Sequence, residues 1–427
     1  MSNIEISKNS SFLNFEANNK HDYQMIKAGK KVYNINKKQL YKSTHSRIVD
    51  FFIQPKNNYA LAPFGKTQFY IDFDIPKIDY TLHQFVLQFT ISNSHSSTEA
   101  KLMPLPLMID KVSILKDSAT FGNDTLDYDI FFYNLNKISN EYINNNVGDL
   151  GLTYSNSQLI CKTLASNNGL DINLELPISL NRSNILASYI NKDLTLRIYF
   201  KPNIVYGGVG NTDIQLSNVQ LALRVKEISN DGLKIIKSQP KLSHLFNKRL
   251  ITKISLPSVT AGQQYSFNFA GINALAGAAF VYFTKSDFNI NYTSLGNIYW
   301  HLLNVSMNNV FITDSSGKNI FDSNIKFDKN YNNYLVSNHF KRFYSNIKCI
   351  SNDVGSAELS QFYYIPLCAD GSDLFNESYS GGIQFTDSGN YKINFTALND
   401  YTNSLTLNIM FFCPSILDVT NNDVHEY

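Results

Sequence analysis

The chain has 427 residues, of which 43% are hydrophobic and 13% aromatic, so a large core can form and global disorder is excluded. The length is too great for one ordinary core and points to two or three domains. A formal net charge of +2 excludes binding of nucleic acid by the whole chain, and the longest apolar stretch, Ala274 to Phe283, falls far short of the roughly 20 residues of a membrane-spanning helix. Charged residues make up only 17%, and 30 Phe with 26 Tyr against one Trp favour pleated, half-buried strands.

Residues 1–47 read as a polar, basic arm. Lys8, Lys20, Lys27, Lys30, Lys31, Lys37, Lys38, Lys42 and Arg47 face only Glu5, Glu16 and Asp22, which gives +6 here and leaves the rest of the chain at −4. The pairs Lys30–Lys31 and Lys37–Lys38 suit an anionic lipid surface or packaged nucleic acid. A solvated arm, or one packing under a neighbouring subunit, is the plainer reading. Met1 to Ser10 is too polar for a signal peptide, so a soluble, cytoplasmically made protein is expected.

From Ile48 the pattern turns to strands. Phe69, Ile71, Phe73 and Ile75 alternate with polar residues, as do Phe85, Leu87, Phe89 and Ile91; Leu194, Leu196, Ile198 and Phe200; and Val219, Leu221, Leu223 and Val225. Period-2 alternation marks sheets with one face in a core. Turn clusters at Ser92–Ser94, Asn167–Gly169 and Gly207–Gly208 separate them. Short helices are expected around Asp127–Ile143 and Asn184–Tyr189. The longest helix-compatible piece, Asp231–Leu250, is broken by Pro240 and suits a connector. The second half alternates again at Tyr265, Phe267 and Phe269, at Val310 and Ile312, at Tyr391, Ile393 and Phe395, and from Leu405 to Phe411.

The halves align with a nearly constant offset. Phe69–Phe73 matches Tyr265–Phe269 at 196, Val112 matches Val310 at 198, and Pro177, Ser183 and Asn184 match Pro366, Ser372 and Asp373 at 189. Alternation alone does not explain the proline match, and an internal duplication does. Each half, about 180 residues, suits an eight-stranded jelly roll. The expected architecture is all-β: two tandem eight-stranded jelly-roll sandwiches with short helices in loops. The divisions are an arm at 1–47, a first jelly roll at 48–229, a connector at 230–249, a second jelly roll at 250–417 and a tail at 418–427.

Three segments carry a family resemblance: Ile53–Tyr59 followed by Phe64–Pro76; Asp110–Asp117; and the dipeptides Leu176–Pro177 and Ile365–Pro366 before the late strands of each half. In this layout the sequence resembles the double jelly-roll major capsid proteins of adenovirus hexons, membrane-containing phages, virophages and polinton-like viruses. The resemblance implies a structural coat protein that trimerises into pseudo-hexagonal capsomers of an icosahedral shell. It further implies neighbouring capsomers, penton and minor capsid proteins as partners, an internal viral membrane reached through the arm, and location in the virion. The alternative is a β-sandwich carbohydrate-binding or adhesin-type module with an aromatic platform.

No catalytic, cofactor-binding or metal-ligating residue emerges, and no enzyme is expected. The histidines, His21, His45, His83, His95, His244, His301, His339 and His425, lack zinc-ligand spacing. His339 with Cys349 and Cys368 is the one conceivable metal set, weaker than ordinary core or surface roles. Cys161, Cys349, Cys368 and Cys413 form no Cys-x-x-Cys pair and read as reduced thiols. Gly207–Asn211 lacks the Lys-Ser/Thr of a phosphate loop and reads as a loop before a strand. Gly-x-Ser-x-Gly is absent from the sequence. Asp72 and Asp74 share one strand face and read as solvated, while Asp124, Asp127 and Asp129 lack the Gly and final Glu of a calcium loop. The Asn-x-Ser/Thr triplets at Asn181, Asn291, Asn304 and Asn394 follow from the Asn-rich composition.

Overall fold

The structure, a computed structural model, describes residues 45–137, 152–155, 158–161, 163–183, 185–269, 272–285, 307–320, 362–368, 382–386, 389–402, 404–420 and 423–426. The first half contains eight principal strands: β1 (His45–Ile53), β2 (Phe69–Asp74), β3 (Tyr80–Asn93), β4 (Ile109–Lys116), β5 (Ala119–Leu126), β6 (Gly169–Glu175), β7 (Leu194–Phe200) and β8 (Ile214–Ile228). They form two antiparallel four-stranded sheets, ordered β1-β8-β3-β6 and β2-β7-β4-β5. This interleaving, in which neighbours in a sheet are distant in sequence, is the jelly-roll topology.

The apolar phase of each strand faces the space between the sheets. Phe85, Leu87, Phe89 and Ile91 of β3 are buried, as are Leu194, Leu196, Ile198 and Phe200 of β7. Each such side chain contributes roughly 1.5–3 kcal/mol. On β8 the buried series changes phase, from Ile214 and Leu216 to Val219, Leu221, Leu223 and Val225. A bulge between Ser217 and Gln220 absorbs the slip, with Asn218 left-handed at φ 52°. One extra residue at this point keeps both series facing the core.

The second half repeats the scheme with β9 (Lys241–Leu256), β10 (Gln264–Phe269), β11 (Ala278–Lys285), β12 (Met307–Thr313), β13 (Phe362–Pro366), β14 (Tyr391–Ala397), β15 (Leu405–Thr420) and β16 (Val424–Glu426). One sheet is ordered β9-β15-β11-β13, with β16 added on β15, and the other β10-β14-β12. Seven of the eight jelly-roll positions are thus filled among the described residues; the counterpart of β5 is not among them. The matched segments occupy equivalent strands. Phe69–Phe73 and Tyr265–Phe269 lie on β2 and β10, and Val112 and Val310 on β4 and β12. Pro177 follows β6 and Pro366 ends β13. The fold is all-β with two jelly rolls in tandem, as the sequence pattern led us to expect.

Helix α1 (Asp127–Lys137) is inserted between β5 and β6, and α2 (Asn230–Lys237) joins the halves. Ser229 caps α2, its Oγ accepting from the Gly232 N–H at 3.1 Å. Of the helix-compatible piece Asp231–Leu250, only the part up to Lys237 is helical. Beyond Pro240 the inward residues Leu242, His244 and Phe246 recur at period two, and β9 begins. Two further differences concern the ends. The described end of the presumed arm, from His45, already belongs to β1. Residues read as tail extend β15 to Thr420 and then form β16.

Candidate functional site: the junction of the two jelly rolls

The junction is built on α1. Asp127 and Asp129 occupy its first turn, where the helix dipole favours carboxylates, and Asp127 Oδ1 accepts from the Tyr128 N–H at 2.8 Å. The consecutive residues Ile130, Phe131, Phe132 and Tyr133 are all buried, so this short helix is enclosed on all sides. One side is fastened to the first jelly roll through Glu175. Tyr133 Oη donates to the Glu175 carboxylate at 2.9 Å, Asn181 Nδ2 donates to it at 2.9 Å, and Asn134 exchanges hydrogen bonds with the Glu175 backbone.

The other side of α1 meets the second jelly roll. The ring of Tyr128 lies 5.3 Å from that of Tyr282, and Phe132 packs edge-on against Tyr282 and Phe280 on β11. Asp129 Oδ1 lies 3.0 Å from Arg249 Nε of β9, as an ion pair without hydrogen-bond alignment. The Arg249 guanidinium also sits 5.5 Å from the centre of the Tyr133 ring. Asp129 and Arg249 line a small open crevice together with Asn123, Ser179, Asn247, Lys248 and Glu426, among others.

Burial dominates the electrostatics here. It pushes the Asp129 carboxyl up to about 6, with Arg249 pulling the other way, and it raises Glu426 against the charge of Lys248. His244, enclosed on β9, is lowered to about 4 by burial. His83 is lowered to about 4 by burial first, then by the charges of Lys226, Arg182 and Arg224. The Cys413 thiol is pushed up to about 12, the behaviour of an inert core residue rather than a nucleophile.

The aspartates singled out from the sequence meet cations or hydroxyls of the protein. Asp124 pairs with Lys111 and accepts from Ser113 Oγ, Asp127 pairs with Lys201, and Asp129 with Arg249. Among the described residues no cluster of His, Cys, Asp and Glu suited to a metal occurs. His339 and Cys349 lie outside the described residues, while Cys368 is half-buried just after β13. Asp74 is exposed and pairs with Lys56 at 3.0 Å. Asp72 is not solvated: it is buried and receives both nitrogens of Arg197 at 2.8 Å, in the two-pronged geometry natural to guanidinium and carboxylate. Arg197 in turn covers the Tyr70 ring at 4.0 Å, and Lys111 lies 4.8 Å above Tyr199. Cations therefore cover these two rings. Gly207 and Gly208 end a short strand, Val205–Gly208, that pairs with Ala100–Leu102, and the anticipated strand follows from Ile214.

Apolar surface gathers on the outer face of β1, an edge strand, where Ile48 and Phe52 are 56% and 57% exposed. The inward residues Val49, Phe51 and Ile53 pack against the core, while on the outer face Ile48 and Phe52 flank Asp50, which pairs with Arg224 at 2.9 Å.

No family model matches the chain, and no curated protein matches it. Solved structures do. PBCV-1 VP54, as fitted into a reconstruction of the virophage Sputnik, superposes with a TM-score of 0.64 at 10% identity, covering 90% of this chain and 97% of that one. The Sputnik virophage structure gives 0.57 at 10% identity, covering 90% and 89%. The Faustovirus major capsid protein gives 0.57 at 8% identity, covering 88% and 91%. At such identities the likeness is one of fold, and it extends over both jelly rolls.

Proposed function

We propose that this chain is a structural major capsid protein whose trimers form pseudo-hexagonal capsomers of an icosahedral virus shell. The observation that carries the reading is the tandem jelly-roll topology, matched over 90% of the chain to coat proteins of the double jelly-roll kind. Two similar blocks per chain place six blocks around a closed threefold axis, which suits a hexagonal lattice. Exposed Ile48 and Phe52 on the outer face of β1 support lateral packing, since obligate interfaces commonly bury more than about 2,000 Å² of largely apolar surface.

On this reading the chain has no catalytic role. Its partners are two further copies, neighbouring capsomers, and penton and minor capsid proteins. It is made in the host cytoplasm and resides in the virion. The basic arm at 1–47 is assigned to contact with an internal viral membrane or a neighbouring subunit. The division expected from the sequence has jelly rolls at 48–229 and 250–417, a connector at 230–249 and a tail at 418–427. The pairing of Lys241 with Thr420 favours extending the second unit to include both strand ends.

Light scattering with electron microscopy of the purified protein tests the proposal. A species of three times 48.5 kDa that persists on dilution, with hexagonal particles in assembly buffers, is expected. A stable monomer at micromolar concentration that binds glycans would overturn it in favour of the sugar-binding module.

A further inference from the structure

The last residues of the described chain return to its first half. Lys116 on β4 binds Asp423 Oδ1 at 2.8 Å and the Val424 carbonyl at 3.2 Å, across more than three hundred residues of sequence. Val424 is fully buried and pairs with Val419, so the same segment is also a short strand added to β15 of the second jelly roll. Glu426 fills a slot between the halves, with its side chain 6% exposed. Lys248 of β9 lies 3.5 Å away on one side. The Asn123 backbone and the Ser179 side chain bind it from the other.

The slot is shaped for this carboxylate. Gly122 has φ +66°, and a Cβ there would lie 2.1 Å from Glu426 Oε2. The left-handed backbone at this point of β5 favours glycine, and a side chain there would displace the Glu426 carboxylate. These contacts draw on β4, β5 and the segment after β6 in one jelly roll, and on β9 and β15 in the other.

We propose that Asp423–Glu426 is an intramolecular strap that fixes the two jelly rolls relative to each other. The α1 wedge holds one side of the junction, and the strap closes the side around Gly122 and Lys248. A single helix and one connector leave two packed domains free to rock about the contact, and a second fastening removes that freedom. The segment Asp423–Glu426 thereby ties together two parts of its own chain. This inference does not rest on the coat-protein reading and is tested on the isolated protein.

The experiment is a charge swap in the full chain: Lys116→Asp, Asp423→Lys and the double variant, with a truncation before Asp423 for comparison. The swapped pair lies at the surface, 24% and 31% exposed, so each variant retains its core. Calorimetry reads the number of unfolding transitions, and limited trypsin treatment reads cleavage after Lys234 and Lys237 in α2, both exposed. Each single reversal and the truncation should split one transition into two and speed α2 cleavage about tenfold, and the double swap should return both readings to wild type. Single reversals indistinguishable from wild type, or a double swap no better than either single, would overturn the strap.

Discussion

Asp129 and Arg249, 120 positions apart in sequence, form an ion pair at 3.0 Å whose side chains are only 5% and 8% exposed. The aspartate comes from the first turn of α1 in the first jelly roll and the arginine from β9 in the second. The pair is a charged bond between two domains, with the Arg249 guanidinium also 5.5 Å from the centre of the Tyr133 ring. Its strength lies less in the attraction than in the penalty for separating it, because either partner left alone is a buried, uncompensated charge.

Replacing Arg249 by alanine should therefore destabilise the protein by about 3–5 kcal/mol at pH 8, measured by urea unfolding. Asp129 already titrates near 6, because burial disfavours its charge, and loss of Arg249 moves it further up. Its folded pKa exceeds the unfolded one, so protonation favours the folded state as pH falls through 6. The cost of Arg249→Ala should thus shrink at pH 5. An equal cost at both pH values would show that Asp129 is not the group left stranded.

His244 should give the opposite pH slope. Its folded pKa, near 4, lies below the ordinary 6.5, so its contribution is present above 6.5 and is lost as pH falls towards 4. A shift of this size corresponds to roughly 3 kcal/mol for a fully buried group. His244→Phe should remove that portion of acid destabilisation, so unfolding titrations should show the stability of the variant relative to wild type rising by roughly 3 kcal/mol between pH 6.5 and 4.

The hydroxyl of Tyr282 is buried and finds no hydrogen-bond partner among the described residues. Tyr282→Phe keeps the ring stack with Tyr128 and Phe132 and removes a desolvated donor. The change should be neutral or stabilising by up to about 1 kcal/mol, against the usual direction for a core substitution. A loss above 1 kcal/mol in urea would point to a partner for that hydroxyl.

Gly208 has φ +86°, and a Cβ would lie 1.9 Å from the Glu99 carbonyl oxygen. Gly208→Ala must displace the pairing of Val205–Gly208 with Ala100–Leu102, at a cost of about 1–3 kcal/mol. Hydrogen exchange should show the loss confined to these two segments. The glycine cluster noted in the sequence owes its composition to this close approach of two backbones.

If β1 packs against a second copy, Phe52→Lys should leave the unfolding midpoint of the single chain nearly unchanged and weaken the oligomer. The side chain is 57% exposed, so little core packing is lost. Sedimentation of the variant should shift from the trimer towards the monomer at concentrations where the parent protein remains assembled.

The sheets were legible because alternation is local: the inward residues of β3 and β7 can be counted off the sequence. The duplication was legible because Pro177 and Pro366 stand close to the ends of corresponding strands, one just after β6 and the other at the end of β13. The junction was not. Asp129 reads as one acid among the three at 124, 127 and 129, and nothing near it indicates a partner on β9. The polar residues His244 and Asn247, buried on a strand that also carries Leu242 and Phe246, were the one signal of an unusual environment. The helical reading of Lys241–Leu250 hid them. Asp72 was misjudged for a related reason, since its neutralising Arg197 lies on β7, which only the fold places beside β2.

The pairing of β9 with β15 runs without a bulge from Lys241–Thr420 to Leu256–Leu405, sixteen consecutive pairs. In the first jelly roll the corresponding partner of β1 is complete once Ile228 has been made. During synthesis, therefore, the first domain can close while the ribosome is still translating the second. β9, an edge strand rich in apolar residues, must wait for nearly the last residue of the chain before its ladder can form. The long loop that this closure spans makes it an entropically slow step. Over that interval β9 is the segment most in need of a chaperone, and a ribosome stalled before Leu405 would release a chain with one finished domain and one exposed strand.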